Sequence, residues 1–218
     1  MSDIVADKSL FSIRKTGSQM EPAQLARLKE DFADYFQIEH SIAINAQPYN
    51  GDGDALSEDD FLALMPEPFR LASEMVQLNS SSIRNLSRLG DVADELSSYL
   101  QQLAKKVDMM MHYILQQQDQ AEHRYHTFSY GGSGLCLRSK QALPAGDWLQ
   151  LKIFLAHGEG AVFCLGQVLE SRQIADSGDW QVDVVYRHIR EQDQELIVRA
   201  SLHEQTRQLK LKKELRDR

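Results

Sequence analysis

Apolar residues step by threes and fours through the middle of the chain, from Leu86 to Ile114. Written as heptads, Leu86, Ala93, Leu100, Val107 and Ile114 take the a positions, and Leu89, Leu96, Leu103 and Met110 take the d positions. A narrow stripe held over about four heptads predicts a helix–helix seam, because a 3.5-residue repeat keeps one edge of a helix turned to its partner. An ordinary surface helix would bury a wider face at a period of 3.6. Downstream of Gln116-Gln117-Gln118 the pattern shifts to short runs broken by turn residues. These runs predict strands at Tyr125–Tyr130, Leu135–Arg138, Trp148–Leu155, Val162–Arg172 and Trp180–Tyr186. Alternation is clearest in Leu149-Gln150-Leu151-Lys152-Ile153, where one face is apolar and the other wetted. Several short strands at this spacing predict a small barrel or sandwich. A last helix, from about Glu191, brings Leu196, Ile197, Ala200 and Leu202 to cover it.

Upstream of the heptads the pattern is less regular. Pro22 suits the first turn of a helix carrying Leu25, Leu28, Phe32, Tyr35 and Phe36. Ile42-Ala43-Ile44 reads as a short strand. Leu56 to Met65 reads as a short acidic helix stopped by Pro66 and Pro68, and from Phe69 a helix is expected to roughly Asn79. The run Asn79-Ser80-Ser81-Ser82 either breaks that helix or caps a new one, and Gly90-Asp91 offers a second start, since an interior glycine costs about 1 kcal/mol. The expected fold class is α+β: a long heptad helix feeding a small antiparallel β-barrel closed by a C-terminal helix. Three regions follow: 1–68, mixed and of unassigned role; 69–120, the oligomerising helix; and 121–218, the barrel with its closing helix.

Composition narrows the function. With 42% hydrophobic and 26% charged residues the chain is globular. A net charge of −8 disfavours nucleic acid and anionic membrane as partners, since both need a positive surface. The locally basic end, Arg207 to Arg218, reads as a helix terminus complementing its dipole. Cys136 and Cys164 sit in apolar strand-like runs and are expected to be buried thiols of a reducing compartment. No stretch approaches the roughly 18–20 apolar residues of a membrane span, and no basic-then-apolar leader opens the chain, so a cytoplasmic location is expected.

Catalytic signals are missing. No nucleophile elbow, phosphate loop or catalytic carboxylate pair can be read, and no enzyme is expected. Asn50-x-Asp52-x-Asp54 imitates the start of a calcium loop, but Ala55 stands where glycine belongs and Phe61 where a bidentate glutamate belongs. His123 and His126 would point to opposite faces of a strand. No metal site and no cofactor are expected.

One segment carries a resemblance. Thr127-Phe128-Ser129-Tyr130-Gly131-Gly132-Ser133-Gly134-Leu135 resembles the signature strand-turn of PilZ domains, an Asp/Asn-x-Ser-x-x-Gly pattern continued by Gly-x-Gly-Leu. The downstream order is similar too: Pro144 and Gly146 at a turn, Gly166-Gln167-Val168 in a strand, then Val182–Tyr186 and the helix beginning near Gln192. The preceding heptad helix is similar to the tetramer-forming PilZ subgroup. The resemblance spans about residues 84–213 and implies a non-enzymatic bacterial receptor or adaptor for cyclic di-GMP, assembled as a homo-oligomer with a tetramer favoured. A further, unnamed protein partner is implied as well.

In such domains an acid and a serine read a guanine edge while two arginines of an Arg-x-x-x-Arg pair grip phosphate, as guanidinium forks do. Here Ser129 and Gly132 match the pattern, and Thr127 replaces the acid; a hydroxyl accepts fewer hydrogen bonds than a carboxylate. Arg84 and Arg88 have the arginine spacing, at f and c positions of the heptads. Arg124 lies at the entry to the signature strand. The ligand set implied is thus Thr127, Ser129, Gly132, Arg124, Arg84 and Arg88. The alternative is an interaction scaffold that keeps the barrel and binds no nucleotide.

Overall fold

The computed structural model describes residues 22–34, 36–72, 74, 91–175 and 177–216. In chain order it contains α1 (Pro22–Asp34), β1 (Gln37–Glu39), β2 (Ala43–Pro48), α2 (Glu58–Leu64), α3 (Asp91–Gln116), β3 (Arg124–Gly131), β4 (Gly134–Ser139), β5 (Trp148–Phe154), β6 (Ala161–Gln173), β7 (Trp180–His188) and α4 (Glu191–Arg216). A further helical stretch covers residues 67–72.

Six antiparallel strands close on themselves in the order β3-β2-β5-β6-β7-β4, with β4 pairing back onto β3. The inward faces of these strands build the main core. Ile44, Leu135, Leu137, Leu149, Leu151, Ile153, Val162 and Val184 are all buried there. Along β5 buried and half-buried positions alternate without a break, the period of a strand with one dry face. Strand β6 does not alternate: its first nine residues are all buried. The reason is a second apolar cluster on its outer face, where Phe163, Leu165 and Ala161 meet Phe61, Met65, Phe69 and Leu115. Phe61 and Phe69 each lie about 6 Å from the Phe163 ring, at 5.9 and 6.2 Å between centroids, within the range of favourable aromatic pairs.

Local chemistry sets the ends of the elements. The Ser57 hydroxyl accepts the Asp60 amide at 3.2 Å and caps α2, and Glu58, Asp59 and Asp60 complement the positive end of the helix. Helix α4 starts with Glu191 and Asp193 and finishes with Lys213 and Arg216, the sign order its dipole favours. Its Ile197 and Ala200 close one end of the barrel core.

The barrel, its five downstream strands and its closing helix match the sequence reading within a few residues at each end. The N-terminal region departs from it. Residues 37–48, placed by sequence in a separate region spanning 1–68, enter the sheet: β2 pairs with β5 from Ile44↔Ile153 to Pro48↔Leu149 and closes the barrel. A three-residue and a six-residue strand hold too little periodic signal to reveal a partner about a hundred residues away. In the expected helix of 69–120, Phe69 packs on the barrel and α3 is described from Asp91; Leu86 and Leu89 of the heptad seam lie outside the described residues. Ala93 falls within α3.

Candidate functional site

Strand β3 changes partners halfway. Its first residues pair with β2, as Ala43↔His126 and Asn45↔Arg124, and its last pair with β1, as Glu39↔Ser129 and Gln37↔Gly131. On its other edge it runs beside β4 with a bulge between Thr127 and Ser129. Bulges re-aim side chains, and this one falls on the signature residues.

Thr127 sits at the changeover and is buried. Its hydroxyl donates to the His40 carbonyl oxygen at 2.7 Å and accepts the Ile42 amide at 3.0 Å; its own amide donates to the Ile42 carbonyl oxygen at 3.1 Å. The side chain thus ties down the three-residue bend between β1 and β2. The Ser129 hydroxyl donates to the Gln37 carboxamide oxygen at 2.7 Å. The Gly132 carbonyl oxygen accepts from Gln194 of α4 at 2.9 Å. Gly131 has to be a glycine, because a Cβ there would collide with the Phe36 carbonyl oxygen. All three signature positions implied by the resemblance therefore come together at one turn, and each is engaged by the chain itself.

Helix α4 closes over the same segment from the far side. Gln208 donates to the Glu39 carbonyl oxygen at 2.9 Å, and Glu204 lies 3.8 Å from His40 Nε2. His40 Nδ1 is buried with no hydrogen-bond partner among the described residues. Beneath it Tyr130 is pushed up to about 12, first by burial and then by the charges of Glu204 and Glu159.

Arg124 points elsewhere. Its guanidinium meets the Asp119 carboxylate at 2.7–3.1 Å, at the exit from α3. Asp119 also accepts from Asn45 of β2 at 2.8 Å, and Asn45 accepts the Gln120 amide at 2.8 Å. Although burial works against its ionisation, Arg124 and Asn45 hold the Asp119 carboxyl below the usual range. Arg124 thus anchors the helix to the barrel, not the turn to a ligand. A cleft of about 330 Å³ beside it is lined by His126, Arg138 and Lys140 as well. Asp179 already faces the latter two, at 3.9 and 3.0 Å. Arg84 and Arg88 lie outside the described residues.

Sequence reasoning missed Gln37, His40, Asn45, Asp119, Gln194 and Glu204. They come from five separate elements and loops and share no spacing that a reader of the sequence could use. Among the described residues no group of three or more His, Cys, Asp or Glu side chains comes together to hold a metal ion. In the calcium-like loop, Asp52 accepts the Asp54 and Ala55 amides and Asp54 pairs with Arg187 at 3.0 Å.

The seam residues that are described lie on the open side of α3. Leu96, Leu100, Leu103, Val107, Met110 and Ile114 are all exposed, Met110 at 66%. A different face, through Leu115 and Met111, packs on the outer cluster of the barrel. Among the described residues the apolar edge is therefore left uncovered. No described helix is long and apolar enough to cross a membrane.

With a closed six-stranded barrel, a signature turn on β3 and a covering helix, the class is defined, and comparison with known proteins agrees. Residues 102–202 match the PilZ domain family, and this part of the chain is a PilZ domain, of a family that binds cyclic di-GMP. The match holds β3 to β7, so the strand that closes the barrel, β2, comes from outside it. Among solved structures the chain is similar to a pathogenic protein from Xanthomonas campestris, described as a tetrameric PilZ domain self-assembled via an unusual helical bundle. The likeness has 16% identity and a TM-score of 0.50, covering 84% of this chain and 95% of that one. It is also similar to the Bacillus subtilis inhibitor of motility (MotI/DgrA), at 10% identity and a TM-score of 0.43. That likeness covers 80% of this chain, which spans only 51% of the inhibitor. No curated protein sequence matches the chain.

Proposed function

We propose that the protein is a non-enzymatic adaptor of cyclic di-GMP signalling that works as a homo-oligomer joined through α3, with its signature turn closed on its own β1. The observation that carries this reading is the state of the turn: Thr127, Ser129 and Gly132 spend their polar groups on His40, Ile42, Gln37 and Gln194. A dinucleotide would have to compete with all of these. The PilZ domain supports the signalling context. The apolar edge of α3 supports self-association, because an exposed apolar patch on a folded chain marks a surface that meets something else. A likeness in fold to a tetramer built on a helical bundle makes four copies the expected number. Two buried free thiols suit the cytoplasm. An adaptor of this kind delivers its signal to a protein partner through the outside of the assembly.

Calorimetric titration of the parent protein with cyclic di-GMP, alongside its sedimentation mass, tests the reading. A mass of four chains of 24.9 kDa and little or no saturable heat are expected. Tight, one-per-chain binding by the parent would replace the adaptor with a direct receptor. That second reading is favoured by the retained Ser129 and Gly132, with Arg84 and Arg88 as its phosphate partners. A monomeric parent would remove the oligomer from both.

A further inference from the structure

We propose that the segment Phe36–Ser41 is a releasable occupant of the signature turn, and that its departure is what opens the turn to cyclic di-GMP. The proposal rests on the adaptor reading above and adds the device that switches it.

The segment sits on the turn as a bound peptide would. The Gln37 carboxamide oxygen accepts from the Ser129 hydroxyl, the His40 carbonyl oxygen accepts from that of Thr127, and the His40 amide donates to the Phe128 carbonyl oxygen at 3.1 Å. Gly131 leaves room for the Phe36 backbone that any side chain would fill. Removing the segment would free the Ser129 hydroxyl, the hydroxyl proton of Thr127 (whose oxygen still accepts the Ile42 amide) and the edge of β3 from Ser129 to Gly131. On the other side Gln208 would lose its Glu39 acceptor, and Glu204 would lose His40 while keeping Arg207 and His157. A two-sided polar slot then replaces a closed seam.

What holds the segment is slight beside what holds its neighbours. β1 is three residues long and pairs along one edge only, with β3. Ile38 is its one apolar side chain in the core; Phe36 is about half exposed, at 49%. Upstream, α1 is held by an exposed Lys29–Glu170 ion pair at 2.8 Å, which contributes little, and by Phe32, whose ring lies against Gly134 and whose carbonyl oxygen accepts from Ser133 at 3.5 Å; none of these contacts reaches Phe36–Ser41. By contrast β2 pairs with both β3 and β5 and buries Ile44, Asn45 and Ala46. Opening would therefore stop at the buried Ile42, just ahead of β2, and leave the barrel closed. Segments with few buried contacts open locally at far less cost than the global fold.

Two substitutions in the full-length protein loosen the segment from opposite sides. Gly131→Ala puts a methyl group into the Phe36 carbonyl. Gln208→Ala removes the hydrogen bond to Glu39 from the closing helix, on its solvent side, and leaves the turn untouched. Hydrogen exchange at the His40 amide reads release, and calorimetry reads cyclic di-GMP affinity. Both variants are expected to exchange His40 at least ten-fold faster than the parent. Affinity should rise by a matching factor, because apparent affinity scales with the population of the competent state. In the parent, high cyclic di-GMP should accelerate His40 exchange by trapping the open form. The proposal is overturned by unchanged His40 exchange in both variants, by faster exchange with no gain in affinity, or by a parent that binds while His40 stays protected. The first two results leave the adaptor reading standing, since neither alters the oligomer mass or the parent's titration; only tight binding by the parent with His40 protected would remove both.

Discussion

The Thr127 hydroxyl donates to the His40 carbonyl oxygen at 2.7 Å, joining the position where a PilZ signature carries its acid to the bend between two N-terminal strands. The same hydroxyl accepts the Ile42 amide, so one threonine satisfies both sides of the bend. Thr127→Val keeps the shape and orphans a half-buried carbonyl and a buried amide. Leaving such groups unpaired costs roughly 1–3 kcal/mol each, and chemical denaturation should show a loss of that order. Thr127→Asp, which the sequence motif suggests as a repair, should be more damaging. It sets a buried carboxylate against the His40 carbonyl, and burying an unpaired charge costs more than burying a hydroxyl. A Thr127→Asp protein as stable as the parent would show that the segment around His40 is not held as described.

The apolar edge of α3 makes a prediction about mass. Leu100 and Leu103 are exposed in the single chain, so charging them leaves the folded chain intact. Leu100→Asp with Leu103→Asp should drop the sedimentation mass to that of one chain while the far-ultraviolet spectrum keeps its strand signal. An unchanged oligomer would assign the contact to another surface.

Phe69 tests whether the helical stretch 67–72 belongs to the barrel. It is fully buried against Phe154 and Phe163 on the outer face of the sheet. Phe69→Ala should cost about 3–5 kcal/mol, as large aromatic truncations in cores do. A loss below about 1 kcal/mol in chemical denaturation would mean that the outer cluster collapses readily around the gap.

Asp119 gives a pH dependence with a definite sign. Its carboxyl is held below the usual range in the folded protein, against the pull of burial, by Arg124 and Asn45. A depressed folded value means that the contribution is present above the unfolded pKa, about 3.9, and is lost as pH falls through the folded one. Arg124→Met should therefore lower stability at pH 7 and matter less near pH 3. Equal loss at both pH values would assign Arg124 a packing role instead.

Both thiols should be silent in the native state. Burial pushes Cys136 up to about 12, helped by the Asp183 charge, and burial raises Cys164 as well. Since the thiolate is the reacting species, a thiol reagent should label neither until denaturant is added. Fast labelling of the native protein would overturn the closed barrel at β4 or β6.

Periodicity by itself determined much of this protein. Alternation and turn residues located the five strands from β3 to β7, and the 3.5-residue stripe located α3 and its apolar edge, because these signals are local and repeat. The order Thr127, Ser129, Gly132 located the turn. Only the tertiary structure decided what that turn touches. Three residues of β1 carry no periodic signal, and their pairing with Ser129–Gly131 spans some ninety residues of chain. Arg124 looked like a ligand partner in sequence, but space brings Asp119 and Asn45 to it first. Side-chain identity is written in the chain, whereas the choice among possible partners is made by burial, where each polar group must take whatever donor or acceptor the packed backbone brings within reach.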